Sequence, residues 1–317
     1  MKAFVFPGQG SQSVGMGKAL AEAFPEARAA FDEADAALGW RLSEVIFDGP
    51  AERLTLTENA QPAILTVSVA AWRVLDARGF RPDVVAGHSL GEYSAHVAAG
   101  TLAFGDAVRL VHHRGQYMQE AVPVGHGAMA AILGLDEDGV RAACEEAAQG
   151  EVVSAANLNA AGQIVIAGAA AAVARAGECA RARGARRVIP LQVSAPFHCL
   201  LMAPAEARLA PELRAVQVRD PRVPVVANVD AEPRRDAASS IDALIRQVSS
   251  PVRWEATVRR LASDGVTAYV EMGPGTVLSG LIKKVAREAA ILNLEQPAGL
   301  AAIAALFGAG AATDNPS

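Results

Sequence analysis

Apolar positions along this chain follow two rhythms. Short, almost unbroken apolar runs at Ala3–Phe6, Val84–Ala86, Pro224–Asn228, Thr267–Glu271 and Ala290–Leu294 predict strands. Between them, apolar residues recur three and four places apart, which is the spacing of one helix face. That spacing predicts helices over about 16–24, 26–37, 57–77, 92–99, 104–121, 239–248, 255–264, 276–287 and 300–307. Pro25 suits the first turn of the second helix. Thr57 or Asn59 offers a cap to the third, whose buried face is read as Ile64, Val67, Ala71, Val74 and Leu75. Strands alternating with helices predict an α/β fold in which helices cover a parallel sheet.

The rhythm changes in the middle of the chain. Strand 128–133, helix 136–148, strands 152–157 and 163–167, helix 169–183 and strand 187–193 follow one another. The order β-α-β-β-α-β is that of a ferredoxin-like unit. Residues 126–195 are therefore predicted to form a small subdomain inserted into a larger one built from 1–125 and 196–307. Asn157 through Gly162 is read as its central hairpin turn. The small, polar stretch 308–317 is predicted to be a disordered tail.

Composition narrows the class. With 317 residues, 51% of them hydrophobic and 20% charged, the chain buries a substantial core. A net charge of −5 argues against general nucleic-acid binding. Cys144, Cys179 and Cys199 make no disulfide framework and have no metal-ligand spacing, and Cys199 is read as packing. The apolar start meets Pro7-Gly8 too soon for a signal-peptide core, and no apolar run reaches membrane-spanning length. A cytoplasmic protein without membrane contact is expected.

The chemistry centres on Gly87-His88-Ser89-Leu90-Gly91, between a short strand and an Ala-rich helix. A strand that turns this sharply into a helix strains its central residue, and only small neighbours avoid a clash. The Ser89 hydroxyl then stands exposed beside helix N–H groups, a nucleophile elbow. A serine nucleophile needs a base. Of the six histidines, His88 belongs to the elbow, while His96, His112 and His113 fall on helices. His198 lies in a loop after a strand, where a parallel-sheet protein places its working residues, and is the candidate base. No Asp or Glu between Ser89 and His198 sits in a suitable strand-end loop, so a backbone carbonyl is an alternative orienting group. On helix 104–121 the apolar stripe Ala107, Leu110, Val111, Met118, Ala121 is broken by Arg114. A guanidinium on an inner face keeps its charge and must find an anion. Its partner is either an internal acid or a carboxylate on a bound substrate, whose shape suits the arginine fork. Gly8-x-Gly10 after the first strand also invites a dinucleotide-binding reading, but Ser13 stands where a third glycine belongs and Pro7 interrupts the turn.

Taken together, Phe6-Pro7-Gly8-Gln9-Gly10-Ser11-Gln12, Gln61-Pro62-Ala63, Gly87-His88-Ser89-Leu90-Gly91-Glu92, Arg114-Gly115, Asn157-Leu158-Asn159, Pro196-Phe197-His198, Gln247 through Trp254 and Glu271-Met272-Gly273-Pro274-Gly275 occur in the order of a known family. The chain resembles the malonyl-CoA:acyl-carrier-protein transacylases of type II fatty acid synthesis, from about residue 3 to 307. The resemblance implies an α/β-hydrolase-like large subdomain with a ferredoxin-like insertion. It implies Ser89 as nucleophile and His198 as base, with the backbone carbonyl of Gln247 orienting the imidazole. Backbone N–H groups of Gln9 and Leu90 are implied as the oxyanion hole. Arg114 is implied to bind the malonyl carboxylate, with Gln61 and Asn159 also at the substrate, and Phe197 fits malonyl-selective members. No metal or cofactor is implied, since coenzyme A arrives as the substrate's thioester and the phosphopantetheine belongs to the acyl carrier protein. The family's usual form is a monomer.

The carrier protein of this family is acidic, so Arg181, Arg186, Arg187, Lys283 and Lys284 are candidate contacts, with Arg186 and Arg187 expected at the cleft rim. Other readings of the same residues are a trans-acting polyketide-synthase acyltransferase, a serine hydrolase or thioesterase that passes the acyl group to water, and a nucleotide-binding module built on Gly8-x-Gly10.

Overall fold

The run Ala3–Phe6 reads as unbroken apolar because both of its faces are covered. In the computed structural model, which describes residues 1–308, Phe4 and Phe6 pack into one core with Leu20, Phe31 and Ile64. Ala3 and Val5, pointing the other way, pack with Trp254, Val258 and Ile282. The strands are β1 (Lys2–Phe6), β2 (Val84–Gly87), β3 (Gly127–Leu133), β4 (Val153–Ala160), β5 (Gln163–Ala169), β6 (Arg187–Pro190), β7 (Val225–Val226), β8 (Pro233–Arg234), β9 (Ala268–Met272) and β10 (Ala290–Leu294). The helices are α1 (Lys18–Ala23), α2 (Pro25–Leu38), α3 (Leu42–Asp48), α4 (Ala51–Thr55), α5 (Thr57–Ala77), α6 (Leu90–Ala99), α7 (Phe104–Glu120), α8 (Glu137–Ala148), α9 (Ala170–Ala182), α10 (Ala203–Ala215), α11 (Ala237–Gln247), α12 (Trp254–Ser263), α13 (Val277–Val285) and α14 (Gly299–Leu306).

The large sheet runs β10-β9-β1-β2-β7-β8. Its first five strands are parallel, and β8 pairs antiparallel with β7 at the edge. Two loops important for chemistry follow β1 and β2, at the carboxyl ends of adjacent strands, where open α/β sheets place their ligands. Neither Thr57 nor Asn59 caps α5. The cap position is Leu56, because α4 ends immediately before it. Asn59 Nδ2 instead donates to the Arg53 carbonyl at 2.9 Å, and Thr57 Oγ1 accepts from Gln9 Nε2 at 3.3 Å. Elements α3, α4 and β8 are too short to show a period, and α10, which begins with Ala-Pro and contains Pro211, hides its face among alanines. The Glu271–Gly275 motif is structural: the Glu271 carboxylate accepts from the N–H groups of Leu278 and Ser279 at 3.0 and 2.8 Å, holding the first turn of α13.

The insertion forms its own antiparallel sheet in the order β4-β5-β3-β6, with α8 and α9 packed on it through Ile132, Val140, Cys144, Ile166 and Val173. This is the ferredoxin-like arrangement. Its central hairpin turn is only Ala161-Gly162, since Asn157, Leu158 and Asn159 belong to β4. Register shifts at Ala155/Asn157 and Leu158/Ala160 mark bulges, which re-aim side chains next to functional sites. The predicted tail beyond residue 308 lies outside the described residues. No helix among the described residues is long and apolar enough to cross a membrane.

Candidate active site

The backbone at Ser89 has φ 50° and ψ −109°, a strained conformation for a residue with a side chain. Its flanking glycines are obligatory. A Cβ at Gly87 would overlap the carbonyl of Gly91, and a Cβ at Gly91 would overlap the carbonyl of Phe6. The turn is held from behind by Asn228, whose Oδ1 accepts from the Ser89 N–H at 2.7 Å and whose Nδ2 donates to the Gly87 carbonyl at 2.7 Å. The serine cannot cap α6 with its own side chain, which leaves the hydroxyl free to point into the cleft.

There it meets the predicted base. Ser89 Oγ lies 2.7 Å from His198 Nε2. His198 is also held at positive φ, 61°, by the loop after β6. Its Nδ1 faces only carbonyl oxygens, that of Gln247 at 3.0 Å and that of Ser250 at 3.2 Å. Nδ1 therefore carries the ring proton and Nε2 is bare, the tautomer that accepts a proton from serine. Two carbonyls stand where a triad acid would be. Burial and, after it, the neighbouring Arg114 charge push this imidazole down to about 3, so it is neutral at physiological pH.

Arg114 is 1% exposed and sits under the elbow. Nη1 donates to Gln61 Oε1 at 2.7 Å, and Nη2 donates to Gln247 Oε1 at 3.0 Å and to Ser89 Oγ at 3.1 Å. The Tyr93 ring lies 5.5 Å from the guanidinium carbon. Among the described residues, the oxygens it bonds are all neutral and no carboxylate bonds to it directly. Gly115 lets α7 approach α5 this closely, for a Cβ there would press on the backbone of Thr57 and Glu58. A cleft of about 730 Å³ opens over these groups, within the range of small-molecule sites. Gln9 and Leu90 line it from the large subdomain, and Met129, Asn157 and Leu191 from the insertion.

Asn159 takes a place other than the one the resemblance implied. Its Oδ1 lies 2.8 Å from His88 Nε2, tying the β4 bulge to the elbow, while Asn157 faces the cleft. The dinucleotide reading of Gly8-x-Gly10 fails on geometry: Gly8 lies against the His88 carbonyl, where a Cβ would meet it at 2.5 Å, and no helix opens until Lys18. Arg186 and Arg187 stand at the start of β6, whereas the cleft is lined by Leu191–Ser194 beyond its other end, so they are not rim residues. Lys284 Nζ donates to Gln163 Oε1 at 2.5 Å, and Lys283 Nζ to the Arg287 carbonyl at 2.7 Å. Sequence reasoning missed Glu92, Asn228 and Ser250. For Glu92 a signal existed: a lone acid among alanines, three residues after the nucleophile. For Asn228 and Ser250 there was none, because only the fold brings them near residue 89.

Comparison with known proteins shows the family of this fold. Residues 3–304 match the acyl transferase domain family. The chain is 51% identical over 296 residues to a malonyl CoA-acyl carrier protein transacylase of Bacillus subtilis (strain 168), covering 93% of each chain. It is 52% identical to one from Salmonella typhimurium (strain LT2), covering 95% of this chain and 97% of that one. Among solved structures, an acyl carrier protein S-malonyltransferase from Vibrio cholerae superposes with a TM-score of 0.94 at 48% identity, covering 95% of this chain and 99% of that one. A malonyl-transacylase solved in complex with a type II PKS acyl-carrier protein superposes with a TM-score of 0.93 at 47% identity, covering 97% and 99%.

Proposed function

The chain belongs to the acyl transferase domain family and is an acyltransferase of its malonyl-CoA:acyl-carrier-protein transacylase group, and on that premise we propose that it works through a malonyl ester on Ser89. Ser89 Oγ attacks the thioester carbonyl of malonyl-CoA while His198 Nε2 takes its proton. The negative charge that develops on the carbonyl oxygen is met by the N–H groups of Gln9 and Leu90. Leu90 opens α6, so its N–H has no intrahelical partner and the helix dipole adds to the effect. The tetrahedral adduct collapses, the carbon–sulfur bond breaks, and His198 returns the proton to the departing coenzyme A thiol. The phosphopantetheine thiol of acyl carrier protein then gives its proton to His198 and attacks the ester, and Ser89 Oγ recovers a proton as it leaves. The cycle balances without metal or cofactor.

Arg114 binds the free carboxylate of the malonyl group through its fork. Pairing with that carboxylate also weakens the Arg114 field that depresses His198. The base thus gains proton affinity when an acidic acyl group is bound. Gln61 holds the fork in place, the Gln247 and Ser250 carbonyls orient the imidazole, and Asn159 acts at one remove by holding His88. The observation that carries this reading is the meeting of Oγ, Nε2 and Nη2 within hydrogen-bond distance on one strained serine. Intact-mass analysis after mixing with malonyl-CoA tests it. A malonyl adduct localised to Ser89, discharged on adding holo acyl carrier protein with the label recovered on that protein, is the expected result. Label recovered chiefly as free malonate would make the protein a hydrolase.

A further inference from the structure

Gln247 touches Ser89, Arg114 and Glu92 through its side chain and His198 through its main-chain carbonyl, and its carboxamide can make its bonds in only one of its two orientations. Nε2 donates to the Ser89 carbonyl at 2.9 Å and to Glu92 Oε2 at 2.8 Å, while Oε1 accepts from Arg114 Nη2 at 3.0 Å. Turned over, the carboxamide would set its oxygen against two acceptors and its amino group against a guanidinium, and all three bonds would be lost. The Ser89 carbonyl is one of the two acceptors that decide this. Glu92 is the other. It is wholly buried in α6, three residues past the nucleophile, and its Oε2 also accepts from the Asn228 N–H at 2.9 Å. The residue that holds Gln247 is therefore tied to the residue that clamps the elbow.

We infer that Glu92 is a positioning residue for the transfer of acidic acyl groups: its Oε2 fixes the Gln247 carboxamide, and the carboxamide fixes the Arg114 fork. The inference rests on the reading of Arg114 as the carboxylate site. Both bonds to Glu92 fall on Oε2, and Oε1 has no partner among the described residues. The role is thus one of accepting hydrogen bonds rather than of carrying charge, and it is served equally by the acid form, in keeping with burial raising this carboxyl to about 7. A glutamine at position 92 preserves the acceptor; a leucine of similar size removes it.

The test compares single-turnover acylation of Ser89 by malonyl-CoA and by acetyl-CoA, whose acyl group does not engage Arg114. Glu92→Leu is expected to lower the malonyl-to-acetyl rate ratio about 10- to 100-fold, the scale of a slightly misplaced binding group. Glu92→Gln is expected to keep that ratio within about threefold of the parent. Equal losses with both thioesters in folded Glu92→Leu, or a Glu92→Gln as impaired as the leucine variant, would overturn the inference. Should Glu92→Leu not fold, Gln247→Met carries the same expectation, because it keeps the main-chain carbonyl to His198 and removes only the carboxamide. An unmoved ratio there is equally fatal. If the unsubstituted protein takes no label on Ser89, the functional reading has failed instead.

Discussion

The elbow region and the ferredoxin-like insertion solve opposite problems with the same amino acids. In the insertion the charged groups are outside: Arg141 pairs with Asp138 at 2.9 Å and Arg183 with Glu146 at 2.5 Å, on the solvent side of α8 and α9. Its interior is apolar, and ordinary burial of side chains such as Ile132, Ile166 and Val173 holds it together. Around the elbow the charged and polar groups are inside. Glu92, Arg114, His198, Asn228 and Gln247 are all buried and bonded into one network that includes Ser89. A buried cation costs several kcal/mol of desolvation unless an anion compensates it. Arg114 is given only neutral oxygens, so part of its charge is left for a visitor. The insertion is a wall, and the elbow is a socket.

The largest expected effect breaks the socket outright. Ser89→Ala removes the attacking atom, and transfer should fall on the order of 10⁴-fold or more with no acyl-enzyme by mass spectrometry. Residual label at another residue would move the nucleophile elsewhere. Arg114→Ala comes next. Loss of a charged hydrogen-bond partner costs about 2–4 kcal/mol, hence roughly 30- to 1,000-fold in malonyl transfer, with acetyl transfer falling much less. An equal fall for both acyl groups would show that Arg114 only supports the elbow, and the distinction between wall and socket would then lose its basis.

These two regions were also unequally legible in the sequence. The insertion could be read almost strand by strand, because its elements are long, periodic and local. Its hairpin turn was drawn too wide, since strand residues beside bulges, such as Asn157 and Asn159, look like turn residues when the pairing is unseen, and its last strand, predicted over 187–193, ends at Pro190 where the chain turns to line the cleft. Ser89 was legible from the glycines around it, and Arg114 from the break it makes in an apolar stripe. Each is a local conflict, and local conflicts mark functional sites. Of the two carbonyls behind His198, that of Gln247 came only with the resemblance and that of Ser250 left no trace, for a carbonyl belongs to every residue and only the chain's path brings those of 247 and 250 to position 198. Asn228 was invisible for the same reason. The resemblance carried the Gln247 carbonyl; the bonds of its side chain appear only when Glu92, Arg114 and Ser89 are seen around it.

Acid sharpens the contrast more gently. His198 must be neutral to accept a proton, and it is held down to about 3. Activity is therefore lost only as pH falls through a value far below 6.5, and acylation at pH 5.5 should stay within about twofold of that at pH 7.5. An acid limb near 6.5 would contradict the neutral, desolvated base. Stability follows a different rule. His88, His96 and His198 have lowered values in the fold, His96 and His198 to about 3, all by burial first. The unfolded chain takes up their protons at about 6.5 and the folded one does not, so their contribution is full above 6.5 and declines as pH falls below it, for His96 and His198 down to about 3, by at most about 1.4 kcal/mol per pH unit each. Glu92, raised to about 7, and Glu271, also raised, have the opposite sign. Their contribution is full below about 4.5 and is lost as pH rises, so they offset the histidines above that point. His126, the insertion's one histidine, is exposed. Hydrogen exchange on acidification should therefore accelerate in α6 before it does in β3 and β5, and the reverse order would refute this division.

Smaller effects are expected in the insertion, beginning where its β4 bonds to the elbow. Enclosure lowers His88 and keeps it neutral, with Nε2 facing Asn159 Oδ1 at 2.8 Å, so Nε2 carries the proton and donates. Asn159→Ala leaves that N–H without its partner at a cost of about 1–3 kcal/mol in stability. The elbow itself stays pinned by Asn228, and transfer should fall only severalfold. Arg141→Ala, in the same subdomain, removes two exposed ion pairs and should leave both the thermal midpoint and transfer essentially unchanged. The comparison is read from thermal midpoints and transfer rates measured side by side. If Asn159→Ala behaves like Arg141→Ala, the insertion covers the cleft without bracing it. If Asn159→Ala alone lowers the rate, the bulge in β4 braces the elbow as well as walling the cleft, because it delivers one amide to the ring beside Ser89.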